Sequence, residues 1–126
     1  MVHVLIADDH KFVRDNLRAL VAQQQPTWKV SEASNGPEAV ELSRKSSPDV
    51  AVLDIVIEPL GGVAAAFDIR EIDPAAKIVF ISSHYTAGEA LRVTSVLGAG
   101  AFVAKSEAVK LLVPTIKQVL EGNRPV

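Results

Sequence analysis

The sequence predicts an α/β domain whose five-stranded, doubly wound parallel sheet carries helices on both faces. Short β-branched apolar runs alternate with stretches of helical periodicity along the whole chain. No two strand-like runs lie close enough to form a hairpin, so crossover connections, and with them a mostly parallel sheet, are required. The run VAVLDIVI, residues 50–57, is apolar except for Asp54, as expected of a central strand covered on both faces.

Each element has its own local signal. Val2 to Ala7 is a β-branched run that stops at Asp8-Asp9, after which Val13, Leu17, Leu20 and Val21 recur at helical spacing until Pro26. Trp28 to Ala33 reads as the second strand. Asn35-Gly36-Pro37 is a turn that opens a helix with proline at its first position, and Ser46-Ser47-Pro48 stops it. Asp49 to Ile57 is the third strand, and a helix follows Pro59-Leu60-Gly61-Gly62 to about Ile72. Asp73-Pro74 precedes a fourth strand, Lys77 to Ile81, with Ser82-Ser83-His84 at its end. A helix from Ala87 to about Leu97, the Gly98-Ala99-Gly100 exit, a short strand Ala101 to Ala104 and a helix from Glu107 to Leu120 complete the chain. In the last helix Val109, Leu112, Val113, Ile116, Val119 and Leu120 form one apolar stripe, and Pro114 is expected to bend or locally break it.

Composition removes several functions. The 126 residues, 48% apolar and 22% charged, suit a single domain that buries a core without staples. The chain has no cysteine, so a thiolate nucleophile, a disulfide framework and a cysteine zinc site are excluded. A formal charge of −2 with no basic run gives little attraction for nucleic acid. The opening MVHVLIADDH lacks the cationic start of a signal peptide, and no apolar stretch approaches the roughly 20 residues of a membrane span, so a cytoplasmic domain with no membrane association is expected. No G-x-G-x-x-G follows the first strand, and Lys105-Ser106 lacks the glycines of a Walker loop, with Ala99 and Ala104 in their places. A flavin phosphate would meet Asp8 and Asp9, and like charges repel.

In an open parallel sheet, chemistry collects beyond the carboxyl ends of the strands. There the sequence places Asp8 and Asp9 after strand one, Asp54 in strand three, Ser82 after strand four and Lys105 after strand five. Each residue alone has a modest explanation: a helix cap, a turn hydroxyl, a solvated lysine. One site explains all five together. Two carboxylates about 4 Å apart repel by about 4 kcal/mol at an effective dielectric of about 20, so positive charge must accompany them. An oxygen-rich site of this kind suits a hard divalent cation such as Mg²⁺. A carboxylate can attack phosphorus when cation and ammonium offset the charge on the phosphoryl oxygens. In that chemistry Asp54 attacks, Asp8 and Asp9 hold Mg²⁺, Lys105 pairs with a phosphoryl oxygen, and Ser82 hydrogen-bonds the transferred group.

These residues, in VLIADDH, VAVLDIVIEPLGG, VFISSHY and GAGAFVAKS, closely resemble the receiver domain of two-component response regulators from Val2 to about Arg124. The resemblance implies strand order 2-1-3-4-5, a phosphohistidine on a sensor histidine kinase as donor, and the Val56 main-chain carbonyl as a further Mg²⁺ ligand. It also implies a switch coupling Ser82 to Phe102, with His84 and Val56 at positions that tune acyl-phosphate hydrolysis. A buried core aromatic explains Phe102 equally well, and a solvated loop residue explains His84. Glu58 stands where the family has proline and Gly61 where it has Asn or Asp, so the loop after Asp54 is expected to change shape. Ser106 after Lys105, with the ending VLEGNRPV, is similar to receivers attached to a LuxR-type helix-turn-helix, whose DNA-binding part would lie outside this chain. The implied function is a phosphorylation-controlled regulator of transcription that is not a turnover enzyme, with a second copy as partner on phosphorylation. The alternatives are a Mg²⁺-dependent phosphohydrolase with an Asp nucleophile, whose usual Asp-x-Asp motif and cap domain are missing, and a pseudo-receiver that binds partners constitutively.

Overall fold

In the computed structural model, residues 1–57, 59–85, 87–94 and 101–122 are described. Expectations for Glu58, for the Gly98-Ala99-Gly100 exit, for the Leu97 end of the fourth helix and for residues 123–126 lie outside them. The described elements run β1 (His3–Ala7), α1 (Lys11–Gln24), β2 (Lys29–Ala33), α2 (Gly36–Ser46), β3 (Val50–Asp54), α3 (Gly62–Ile72), β4 (Lys77–Ser82), α4 (Ala87–Thr94), β5 (Ala101–Ala104) and α5 (Ala108–Leu120), with one 3-10 turn at Lys105–Glu107. All pairings are parallel, and the sheet order is β2-β1-β3-β4-β5.

Strand periodicity builds two cores. Val4 and Ile6 of β1, with Val50 and Val52 of β3, pack under Leu17 and Val21 of α1 and Leu112 and Ile116 of α5. Their neighbours Leu5, Ala7, Ala51 and Leu53 point the other way, against Ala39 of α2 and Ala66 and Ile69 of α3. The central β3 is buried at every position, which is why its sequence is apolar without alternation. Helix α2 starts where the Asn-Gly-Pro turn predicts: Asn35 Oδ1 accepts the Glu38 N–H at 2.8 Å, and Glu38 Oε1 accepts the Ser34 N–H at 2.8 Å.

Five expectations need correction. Strand β3 ends at Asp54, not Ile57. Ile55 and Ile57 stay buried after leaving the ladder, so their apolar character reflects burial in a loop, not strand pairing. Trp28 precedes β2, and Val2 precedes β1. Val109 does not belong to the buried stripe of α5: it is 73% exposed, and Ala108 and Thr115 are buried beside Leu112, Val113, Ile116 and Val119. Pro114 does not break α5. It lies on the exposed side, where water can satisfy the carbonyl its missing N–H leaves unpaired.

Candidate functional site

Parallel pairing brings the predicted residues to one edge. Asp54 is the last residue of β3 and pairs with Ile81, so Ser82 stands one step further along β4; Ser82 pairs in turn with Ala104, and Lys105 follows. Asp8 and Asp9 follow β1 directly. The sheet itself therefore assembles the cluster.

The Lys105 ammonium is its centre. Nζ donates to Asp54 Oδ2 at 2.9 Å and lies 2.7 Å from Asp8 Oδ2, with 13% of its side chain exposed. Asp8 Oδ2 is buried, and its close polar neighbour is this same ammonium. Asp8 is fully buried, Asp54 is 2% exposed, and Asp9 is open to solvent. The remaining oxygens are held by main chain: Asp54 Oδ1 accepts the Val56 N–H at 3.0 Å, and Asp8 Oδ1 accepts the His10 N–H at 2.8 Å.

Burial pushes the Asp54 carboxyl above its ordinary pKa, against the hydrogen bond from Lys105 and that from the Val56 N–H. Burial also disfavours the Lys105 ammonium, but the two carboxylates beside it together outweigh that penalty and hold its pKa above the usual lysine range. The ammonium thus serves two buried carboxylates, Asp54 and Asp8, and with Asp9 beside them the cluster keeps an excess of negative charge.

That excess is the test of the Mg²⁺ expectation, and the residues fit. One ligand atom from each of Asp8, Asp9, His10 and Asp54 lies within 4.8 Å of the others, so these atoms converge on one point. All three carboxylates offer hard oxygen, as Mg²⁺ prefers.

Ser82 is fully buried, and its Oγ accepts the His84 N–H at 2.9 Å. Phe102 is half-buried, opposite Phe80 in the β4–β5 register and packed against the α2/α3 core. His84 and Val56 are exposed.

Gly62 starts α3 directly beneath the site. Its N–H donates to the Ile55 carbonyl at 2.9 Å, and a Cβ there would collide with the Asp54 carbonyl oxygen. Both backbones are fixed, so Gly62→Ala is expected to cost about 1–3 kcal/mol of stability and to displace Asp54. Urea unfolding reads the first effect, and phosphorylation rate the second.

Two neighbours escaped the sequence reading. His10 Nδ1 lies 3.1 Å from Asp9 Oδ1 and 3.5 Å from Asp8 Oδ1; its position next to the acid pair was the available signal. Arg14 reaches back from α1 to the Asp8 carbonyl, a contact with no sequence signature. Beside the cluster, an apolar groove of about 520 Å³ runs between α1 and α5, lined by Phe12, Leu17, Leu20, Val109 and Lys105 among others.

A parallel sheet whose carboxyl edge carries an acid pair, a strand-end aspartate and a lysine paired to it defines a receiver-type domain. The chain belongs to the Response regulator receiver domain family, which it matches over residues 4–117. It is 30% identical over 97% of its length to the transcriptional regulatory protein DegU of Brevibacillus brevis, covering 51% of that protein. With the response regulator UvrY of Escherichia coli (strain K12) it shares 30% identity over 98% of its length, covering 56% of that protein. The chain thus spans little more than half the length of these relatives. Among solved structures, a LuxR-family two-component response regulator from Aurantimonas sp. SI85-9A1 superposes with TM-score 0.89 at 33% identity, covering 100% of this chain and 89% of that one. The response regulator domain of Thermotoga maritima CheB superposes with TM-score 0.84 at 28% identity, covering 96% and 97%. The five-stranded receiver fold in the order predicted is therefore shared with these neighbours.

Proposed function

We propose that this domain is a phosphorylation-controlled switch in which Asp54 accepts a phosphoryl group from a phosphohistidine on a sensor histidine kinase. The observation that carries this reading is the Lys105 ammonium held between Asp54 and Asp8 at the edge of a cluster with surplus negative charge. An Asp54 oxygen attacks phosphorus, the P–N bond breaks, and its electron pair leaves with the imidazole, giving an acyl phosphate. Asp8, Asp9, Asp54 and the Val56 main-chain carbonyl would hold Mg²⁺, which when bound offsets charge on the phosphoryl oxygens. Lys105 releases Asp54 to pair with a phosphoryl oxygen, and Ser82 donates its hydroxyl hydrogen to the new group. The added charge biases the strand-end loops and, with Phe102, the β4–β5 edge.

The groove between α1 and α5 is the surface we assign to the kinase. Lys105 lines both it and the acceptor cluster, so an occupant stands next to Asp54. Output through a LuxR-type DNA-binding domain, homodimer formation on phosphorylation and action in the cytoplasm belong to the same reading. The transcriptional relatives and the LuxR-family neighbour support the first of these.

Mg²⁺-dependent labelling of the domain by a small phosphodonor tests the proposal. Wild type is expected to take up one phosphoryl group and Asp54→Ala none. Labelling retained in the variant would point to another acceptor, and steady turnover of phosphate monoesters would favour a hydrolase.

A further inference from the structure

The β1 ladder ends just before the acid pair: Ala7 is the last residue of β1 to pair with β2 and β3, and the Asp8 N–H still donates to the Ala33 carbonyl at 3.1 Å. The Asp8 carbonyl, beyond the ladder, needs a donor from elsewhere. Arg14, on the first turn of α1, supplies it: Nη1 donates to the Asp8 carbonyl oxygen at 2.7 Å, from a side chain only 14% exposed. The same guanidinium donates through Nε to Glu32 Oε1 of β2 at 3.2 Å. The other Glu32 oxygen accepts from Arg18 at 2.6 Å. A planar fork of fixed donors thus ties the end of β1 to β2 and α1, on the main-chain side of the turn that carries Asp8 and Asp9.

That turn is under electrostatic load, because its two carboxylates share a cluster with Asp54 and a single lysine. We propose that Arg14, anchored by Glu32, is a positioning residue that holds the Asp8–Asp9 turn in the geometry required for the divalent cation. The inference rests on the Mg²⁺ reading above and adds to it a residue that touches neither cation nor phosphoryl group. Lysine at this position keeps the charge but loses the fork, so it cannot serve the carbonyl and Glu32 in the same way. Arg18, half-exposed and bonded to Glu32, shares the anchor without reaching Asp8.

The test combines Mg²⁺ titration calorimetry with amide hydrogen exchange on the whole chain. Arg14→Lys is expected to weaken Mg²⁺ binding about tenfold, in the range seen when the outer partners of metal ligands are removed. Arg18→Lys should stay within about twofold of wild type, as a surface pair does. In metal-free buffer, Arg14→Lys should also speed exchange of the His10 amide, which is bonded to Asp8 Oδ1. A role confined to fastening α1 to the sheet would lower the melting temperature of both variants and leave Mg²⁺ affinity unchanged. Unchanged affinity in Arg14→Lys, or equal losses in both variants, would overturn the inference. Wild type that binds no Mg²⁺ would instead overturn the Mg²⁺ reading, and with it the cation role assigned to Arg14; faster His10 exchange in Arg14→Lys would still support its hold on the turn, and unchanged exchange would refute that too.

Discussion

Asp54→Asn is expected to raise the melting temperature of the metal-free domain by a few degrees while abolishing phosphorylation. The gain follows from the charge imbalance. Burial disfavours charge on Asp54, whose ligand atom lies within 4.8 Å of those of Asp8 and Asp9, and the one ammonium is divided between Asp54 and Asp8. Removing the Asp54 charge leaves Lys105 in a one-to-one pair with Asp8 at 2.7 Å. The pH dependence has a definite sign. Because burial raises the Asp54 pKa in the native state, the stability associated with its neutral form is complete below the unfolded value of 3.8 and is lost as pH rises through the native value. The variant's advantage should therefore be small in acid and widen toward neutral pH. Mg²⁺ should reverse the ranking: at about a hundred times its Kd, the ion stabilises wild type by about 2.7 kcal/mol, and the variant, with one carboxylate fewer, gains much less. Thermal melts in EDTA and in Mg²⁺ across a pH series check all of this. A variant less stable than wild type in EDTA would mean that the Lys105–Asp54 bond outweighs the repulsion.

The legible part of this protein is what the sheet dictates. Alternation in β1, as Val4 and Ile6 against Leu5 and Ala7, assigns residues to the two cores directly, because a parallel strand has only two faces and both are covered. The site follows from the same rule: residues separated by as many as 97 positions, Asp8 and Lys105, meet because each directly follows a strand that runs the same way. The less legible part depends on side-chain reach and on burial outside regular structure. Arg14 lies six residues after Asp8, a spacing that reads only as an early helical position, and its return to the Asp8 carbonyl depends on how α1 leans on the sheet. Ile55 and Ile57 extend the apolar run past the true end of β3, since loop positions buried in the core demand the same residue types as a strand. Val109 fits the helical period of α5 but is 73% exposed and lines the groove instead of the core.

Phe12→Ala is expected to separate the protein donor from the small one. Phe12 is 78% exposed on the first turn of α1, an unusual place for a large aromatic unless another surface covers it, and with Val109, 73% exposed, it lines the groove that also contains Lys105. Truncating a central aromatic of an interface commonly removes a tenfold or larger share of the affinity, so transfer from the cognate phosphokinase at low concentration should fall by about tenfold or more. Labelling by a small phosphodonor should stay within about twofold, because none of the site's hydrogen bonds or ion pairs involves the Phe12 side chain and a small donor needs no groove to dock. Phe67→Ala is the matched control. Phe67 is also an exposed aromatic, 48% accessible, but it sits on α3, the helix of the opposite sheet face, and its loss should change neither rate. Equal losses with both donors in Phe12→Ala would show that the aromatic acts through the acceptor site itself. No loss with the kinase would move the docking surface elsewhere and leave the groove to a second copy of the domain, which sedimentation of the phosphorylated protein would reveal. The split has this diagnostic value because the two features sit on different parts of the fold: the strand ends fix Asp54 and Lys105, and the exposed Phe12 and Val109 stand on the helices of one face.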